Sequence, residues 1–422
     1  MKYIFLINFS KYSLIFFPFL LISGPFFTDL IGSVIGIFTF LFILKNKEYE
    51  YLDNKFFYYF ILIFIIINLS SVLSVDKSIS FKSSTTYLRL ILFIFALAFL
   101  MNHFKDLAKG IHKVYSLCFL ILFIDSLLII NFNINILGIE TDGNNPRIRS
   151  LFDDEEIMGS FISRTLPLYV GLTYFYNNNN IIKYNLIIII LAFFLILISG
   201  ERAALGNFFI FLFFYFFFER KFLTWLLFSL LIVFLIIFQI KKESIDRNFM
   251  HTINQSMNLE NNVIFFSLRH TLHYYTAFEI FKDYPILGAG IKSFRKLCLE
   301  KKYIEKLKQD YGKDMNEKGL IDGCNTHPHH IYLQFLSEIG LIGFLLFLSI
   351  FIYITYNLFI LLKSSFKNRD LLKNKDSSNY FFLLAIFISM FPFLPSGNYF
   401  NNWYIFLNYL PIGLYLANKI KR

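Results

Sequence analysis

Charge is scarce in this chain of 422 residues: Asp, Glu, Lys and Arg make up 16% of it, against 56% hydrophobic residues. The mean hydropathy is +0.57. A soluble globular domain carries roughly 25% charged residues, so the balance excludes a soluble enzyme, a disordered protein and a nucleic-acid-binding module. Cysteine is scarce too. Cys118, Cys298 and Cys324 are too few for a disulfide framework. The weak alternation over about ten residues that marks an outer-membrane barrel is missing. No small-residue cleavage site follows the first apolar block, which runs from Ser13 to Ser23 and through Gly24-Pro25 into the next, so the N-terminal segment reads as retained. What is abundant is phenylalanine, 58 residues of it, in long runs with Ile and Leu. These solid apolar blocks specify an all-α polytopic membrane protein.

A membrane span needs about 20 mostly apolar residues. Measured against that length, the blocks predict about twelve transmembrane helices, at 12–24, 26–44, 56–74, 87–102, 113–131, 157–176, 183–199, 203–218, 222–240, 331–362, 380–395 and 400–418. The tract 177–180, four asparagines, reads as a turn between two of them. With the N-terminus placed in the cytoplasm, the inner segments hold nineteen Lys and Arg residues and the short outer segments six. This positive-inside bias predicts that both termini are cytoplasmic. It divides the chain into a bundle over 1–240, one large outer loop over 241–330 and three further helices over 331–422. The loop holds six of the eight histidines and a turn, Pro285-Ile-Leu-Gly-Ala-Gly290. Loops of this length are usually functional or disordered, and apolar patterning over Phe265–Phe281 predicts that this one folds over the bundle.

Asp29, Arg89, Asp125, Arg164 and Glu338 fall inside predicted spans, and Glu201-Arg202 at the end of another; tracing the helices puts all of them in the outer half. Ionisable groups at membrane depth line cavities or pair with one another, so six such sites on one side predict a polar cavity open to the outside. The densest chemistry lies in Cys324-Asn-Thr-His-Pro-His-His-Ile331. Pro328 suits the first turn of the long helix that follows, which would set His329 at the helix N-terminus. The partial positive charge there keeps an imidazole neutral, fit to act as a general base. Two other readings are a structural cap and a zinc site from Cys324, His327 and His329 or His330, although that spacing fits no common zinc pattern. The run Asp153-Asp154-Glu155-Glu156 reads as a solvated acidic loop. Cys298 and Cys324 have 25 residues between them in the outer loop, where a bridge would brace the approach to His329.

The sequence resembles the O-antigen ligase and O-antigen polymerase superfamily. His329, one residue, nine residues, Gly340, two residues and Gly343 follow that family's signature, departing from it at His330, which leaves the choice between the two histidines open. Ser199-Gly-Glu-Arg-Ala-Ala-Leu205, the segment from Arg269 through Gly290 to Phe294, and Arg149 to Gly159 are also similar to the family. The resemblance implies an extracytoplasmic glycosyltransferase of the bacterial inner membrane. Its partners would be an undecaprenyl-diphosphate-linked glycan as donor and a hydroxyl of lipid A-core oligosaccharide as acceptor, with the active site on the periplasmic face and inversion at the anomeric carbon. It implies His329 as base or orienter and Arg202 and Arg269 as the diphosphate ligands, because a guanidinium binds phosphate through two parallel bonds and keeps its charge. Arg149, Arg164, Arg295 and His330 are further candidates for the donor cavity. No Asp-x-Asp is present, so neither a metal nor another cofactor is expected. A polymerase that extends repeat units on the lipid carrier, a transferase acting on protein, and a transporter or flippase are the competing readings. A transporter would show internal repeats and midplane charges; the sequence shows neither.

Overall fold

The computed structural model describes residues 2–152, 154–176, 182–219, 223–257, 267–317, 319–367 and 374–420. The tract 177–180 and Asp153 lie outside the described residues. The fold is all-helical; among the described residues the only β pairing is an isolated bridge between Ile134 and Glu140. Solid Ile, Leu and Phe runs become helices because backbone polar groups in hydrocarbon have to be satisfied within their own segment. The first eleven are α1 (Lys2–Ile15), α2 (Phe17–Ile22), α3 (Pro25–Asn46), α4 (Lys55–Val72), α5 (Lys77–Thr85), α6 (Leu88–His103), α7 (Leu107–Phe132), α8 (Met158–Phe175), α9 (Ile182–Ile198), α10 (Arg202–Phe218) and α11 (Leu223–Ile240). The next five are α12 (Lys242–Asn248), α13 (Met250–Met257), α14 (Leu268–Asp283), α15 (Phe294–Leu297) and α16 (Lys301–Glu317). The last three are α17 (Ile331–Lys367), α18 (Asn374–Ser389) and α19 (Asn402–Lys419).

Helix occupies each of the twelve apolar blocks, the first of them interrupted at Phe16. Among the described residues six segments are long and apolar enough to cross a membrane: 25–46, 55–72, 77–103, 107–132, 223–240 and 331–366. The other blocks form shorter or less apolar helices. The block at 380–395 is shifted, since α18 begins at Asn374 and ends at Ser389. Pro392 and Pro395 follow, and neither has the N–H a continuing helix requires.

At the centre of the bundle α6 packs between α3 and α19, and α8 packs along α18. Close approach comes from missing side chains: a Cβ on Gly36 would lie 3.0 Å from Phe93 N, and one on Gly171 would lie 2.7 Å from the Phe382 ring. By contrast α11 exposes Trp225, Phe228, Leu231 and Leu235, as a helix at the lipid boundary does. The segment after α11 has two small cores of its own. Leu272 of α14 packs with Leu307, Tyr311 and Met315 of α16, and Ala277 and Ile280 pack with Phe294, Leu297 and Tyr303. A Cys298–Cys324 disulfide, with Cα atoms 5.2 Å apart, ties α15 to the strand of chain that leads into His329.

Two expectations about the long helix are corrected. Its first residue is Ile331, so Pro328 lies outside the first turn and His329 precedes the helix rather than starting it. The helix is also broken: Gly340 has φ 73° and ψ −171° in the middle of an otherwise continuous apolar run. The Pro285–Gly290 turn fills the break. Ala289 N donates to Ser337 O and Gly290 N to Glu338 O, both at 2.9 Å, while Leu341 N donates to Pro285 O at 2.8 Å. Irregular backbone at membrane depth is tolerated only when protein satisfies it, and here Ser337 O, Glu338 O, Leu341 N and Ile342 N find partners in the turn. Gly288, also at positive φ, has no room for a Cβ, which would fall 2.4 Å from Glu338 C. The glycines of the two motifs are therefore halves of one joint.

Candidate active site

The site is assembled on this joint, where the ends of several helices meet the cap formed by α14 to α16. His329 has φ 55°, a left-handed conformation rare for a side-chain-bearing residue. It is held there by Ser396 N, which donates to its carbonyl at 2.9 Å. Asn325 Nδ2 lies 2.9 Å from His329 Nε2; an amide nitrogen only donates, so Nε2 accepts. His329 thus has an imine lone pair at Nε2, covered by an exposed asparagine. His330 is bound differently. Its Nε2 donates to Pro392 O at 3.0 Å and its Nδ1 accepts from Leu333 N at 3.4 Å, so both ring nitrogens are occupied.

Four imidazoles converge around this point. The His329 ring centroid lies 4.1 Å from that of His327, 5.5 Å from His273 and 5.6 Å from His270. His270 and His273 come from the first turns of α14, whose N-cap Ser267 also contacts His270 Nδ1 at 2.8 Å. His273 Nδ1 donates to Gly323 O at 2.9 Å, and its buried Nε2 has no partner. Burial, followed by His273 and Arg269, pushes His329 down to about 4 from its ordinary 6.5. His270 falls to about 3 through burial, then His329, His273, Arg202 and Arg269. The imidazoles are neutral at pH 7.

His270 is where these charges converge. His329, Arg269 and Arg202, which come from three separate stretches of the sequence, share one electrostatic neighbourhood. Arg202 opens α10 directly after Gly200 (φ 60°) and Glu201. Glu201 is turned to α8, where it accepts from Gly159 N at 2.6 Å and from Ser160 N and Oγ. The acid next to Arg202 in sequence thus caps another helix. Arg269 is exposed and makes no ion pair among the described residues.

Residues 187–348 match the family model described as O-antigen ligase. Over this part of its length the chain is similar to the O-antigen ligase and polymerase superfamily. No curated protein matches the chain. The matched segment begins within α9 and holds Arg202, the whole cap, the histidines and the Gly288–Gly340 joint, ending just beyond Gly343. Arg149 and Arg164 lie before it.

The remaining sequence candidates have other surroundings. Arg164 is buried in α8, its guanidinium donating to Tyr404 OH and Ser160 O, both at 3.2 Å, and lying over the Tyr404 ring. Arg149 pairs with Asp154 and Glu156, at 3.4 and 3.5 Å. The acidic run is therefore not simply solvated, since Glu156 also pairs with Arg147. Arg295 lies near His327, whose proton affinity it lowers. Gly343 sits one turn beyond the break, in contact with Ile339. Cys324 is engaged in the disulfide, and among the described residues no group of three or more His, Cys, Asp or Glu side chains is arranged to hold a metal. Sequence reasoning passed over Arg147 and Arg247 as binding residues. Burial, then Arg147 and Arg202, holds Arg247 below its ordinary value, and its Nε donates to Gly200 O at 3.1 Å. No local signal marks Arg247, which is brought to Arg202 by the turn after α11.

Proposed function

We propose that the protein is an O-antigen ligase. It transfers a glycan from undecaprenyl diphosphate to a hydroxyl of lipid A-core oligosaccharide at the periplasmic face of the inner membrane, without a metal and with inversion. The observation that supports the reading is the His270–His329 ring pair, 5.6 Å apart, with Arg202 and Arg269 in electrostatic reach of His270, all within the segment similar to O-antigen ligase. Arg202 and Arg269 receive the diphosphate, whose negative charge they neutralise as it leaves. The acceptor hydroxyl displaces Asn325 from His329 Nε2. As its oxygen bonds to the anomeric carbon, its proton passes to Nε2 and the carbon–oxygen bond to the diphosphate breaks on the opposite face, with the electron pair leaving on phosphate. The proton then passes from His329 to water. Diphosphate binding also makes His329 a better base, because it offsets the Arg269 charge that helps hold the imidazole down.

The test is transfer by purified protein in nanodiscs from a defined undecaprenyl-diphosphate glycan to lipid A-core, using variants matched in thermal stability. His329→Ala should lose on the order of 10²–10⁴-fold in turnover. Arg202→Lys and Arg269→Lys should fail as well, since lysine has no fork, and EDTA should not inhibit. Normal turnover by all three variants overturns the mechanism. Elongation of carrier-linked repeat units without transfer to lipid A-core assigns the protein to the polymerase branch instead.

A further inference from the structure

A second group of cations near the histidines comes from a different part of the fold than Arg202 and Arg269. The loop after the Gly288–Gly340 joint bears Lys292, Ser293 and Arg295, and it is anchored by Glu338. Glu338 is wholly buried in α17. Its carboxylate accepts from Phe294 N at 3.4 Å and from Gln334 Nε2 at 3.1 Å. Lys292 takes φ 61° to follow this path, and Ser80 Oγ fixes the loop by donating to Ile291 O at 2.7 Å. With its carboxylate bound in this way, Glu338 lies within electrostatic reach of the loop's side-chain cations but does not close onto either of them. Lys292 and Arg295 make no ion pair among the described residues. Arg295 Nε and Ser293 Oγ are buried donors with no acceptor among the described residues. The other carboxylate nearby, Asp29, is taken by Arg89 and by Asn402 Nδ2 at 2.9 Å. Lys292 is held below its ordinary value by burial first and by Arg295 next, as two cations packed together would be. Unmatched donors and charges in a half-buried loop are costly unless something anionic meets them.

The two cation groups act on the histidine cluster differently. After burial, Arg269 lowers His273 and His329 and, with Arg202, His270, whereas the lowering of His327 by burial, His329 and His273 has a further part from Arg295. A transfer reaction places its two substrates on opposite sides of the reacting hydroxyl, and a donor diphosphate occupies only one of these groups. We propose that Lys292 and Arg295, with Ser293, form a second anion subsite that binds a phosphate or carboxylate carried by the acceptor glycan. The subsite sets which acceptors are used. This rests on the ligase reading for the identity of the acceptor, but not for the existence of the subsite.

The experiment measures binding, so that it stands apart from turnover. Full-length protein in nanodiscs is titrated with phosphorylated lipid A-core and with the same glycolipid after phosphate removal. The native protein should prefer the phosphorylated form by about tenfold or more, a preference typical of charge-assisted bonds in a partly desolvated site. Lys292→Gln with Arg295→Gln should reduce that preference to near unity, whereas Lys292→Arg should retain it. The affinity for the undecaprenyl-diphosphate donor, measured on the same samples, should stay within about twofold. An unchanged preference in the double variant overturns the proposal, as does a loss of donor affinity in place of acceptor affinity, which would make these residues part of the diphosphate site. Failure of the ligase reading shows itself differently: neither form of lipid A-core binds the native protein. The subsite is then probed by competition between carrier-linked glycans with and without an acidic sugar, and equal binding of the two rules it out.

Discussion

At His330 both ring nitrogens are engaged, by Pro392 and by Leu333, so truncation of this residue leaves a buried carbonyl without its donor. At His329 the only side-chain bond is to an exposed asparagine. His330→Ala should therefore lower the thermal midpoint while the folded fraction keeps turning over, and His329→Ala should do the reverse; unfolding followed in nanodiscs beside turnover separates the two. Nothing in two adjacent histidines states which is which. The left-handed backbone at 329 decides it, and that conformation is imposed by the 391–398 loop, far away in sequence. The depressed imidazoles make a second prediction. His270, His327 and His329 bind protons at about 3, 3 and 4 in the fold and near 6.5 when unfolded. Between those values the unfolded chain binds more protons, so stability is fully present above 6.5 and is lost progressively as the pH falls toward 4. The thermal midpoint should be level between pH 7.5 and 6.5 and drop steadily from there to pH 5, and His327→Gln should flatten that slope. A midpoint constant over this range would place the imidazoles in a solvated setting.

Helices follow directly from apolar blocks, and for that reason the sequence is silent where a helix is interrupted from outside. The run from Ile331 to Lys367 is apolar through Gly340, and a single glycine in such a run is no more than a weak signal. The break is legible only when the Pro285–Gly290 turn is brought to it. Pro328 misled for a similar reason: it has the right chemistry for a first helical turn, but Asn325, Ser396 and the disulfide hold the chain in a tight loop until Ile331. The joint makes its own prediction. A Cβ on Gly340 would fall 2.4 Å from Ile286 O, at a φ that side-chain-bearing residues rarely adopt. Gly340→Ala should cost more than about 3 kcal/mol, seen as loss of purified monodisperse protein, and Gly288→Ala should match it. Gly312→Ala is the control, since a Cβ there meets only Lys308 Cβ, at an ordinary 3.9 Å. Equal yields for all three variants would mean that the turn and the helix break do not interlock.

Across the whole molecule three independent features bear on which face is outside. The Lys and Arg bias predicts that 241–330 lies on the outer side. The cap contains the Cys298–Cys324 disulfide, and such bridges persist in oxidising compartments such as the bacterial periplasm. Cys118, in α7, is free and buried, as a cysteine within the bundle would be. The glycan donor in the proposed reaction is used on the same side, so orientation and chemistry stand or fall together. In cells whose outer membrane has been made permeable, Lys313→Cys, exposed on α16, should react with a membrane-impermeant thiol reagent. Lys105→Cys, exposed between α6 and α7, should react only after lysis. The disulfide leaves the first position as the only reactive thiol outside, and a non-reduced mass two hydrogens below the reduced value accounts for the bridge. Closing a loop of this length contributes about 3 kcal/mol in the chain-entropy model, so reduction should lower the thermal midpoint of the native protein and leave Cys298→Ser unchanged. If the labelling pattern is reversed, the histidines and arginines face the cytoplasm. The bridge would then have no oxidising environment, and a ligase acting on periplasmic lipid A-core would be excluded at once.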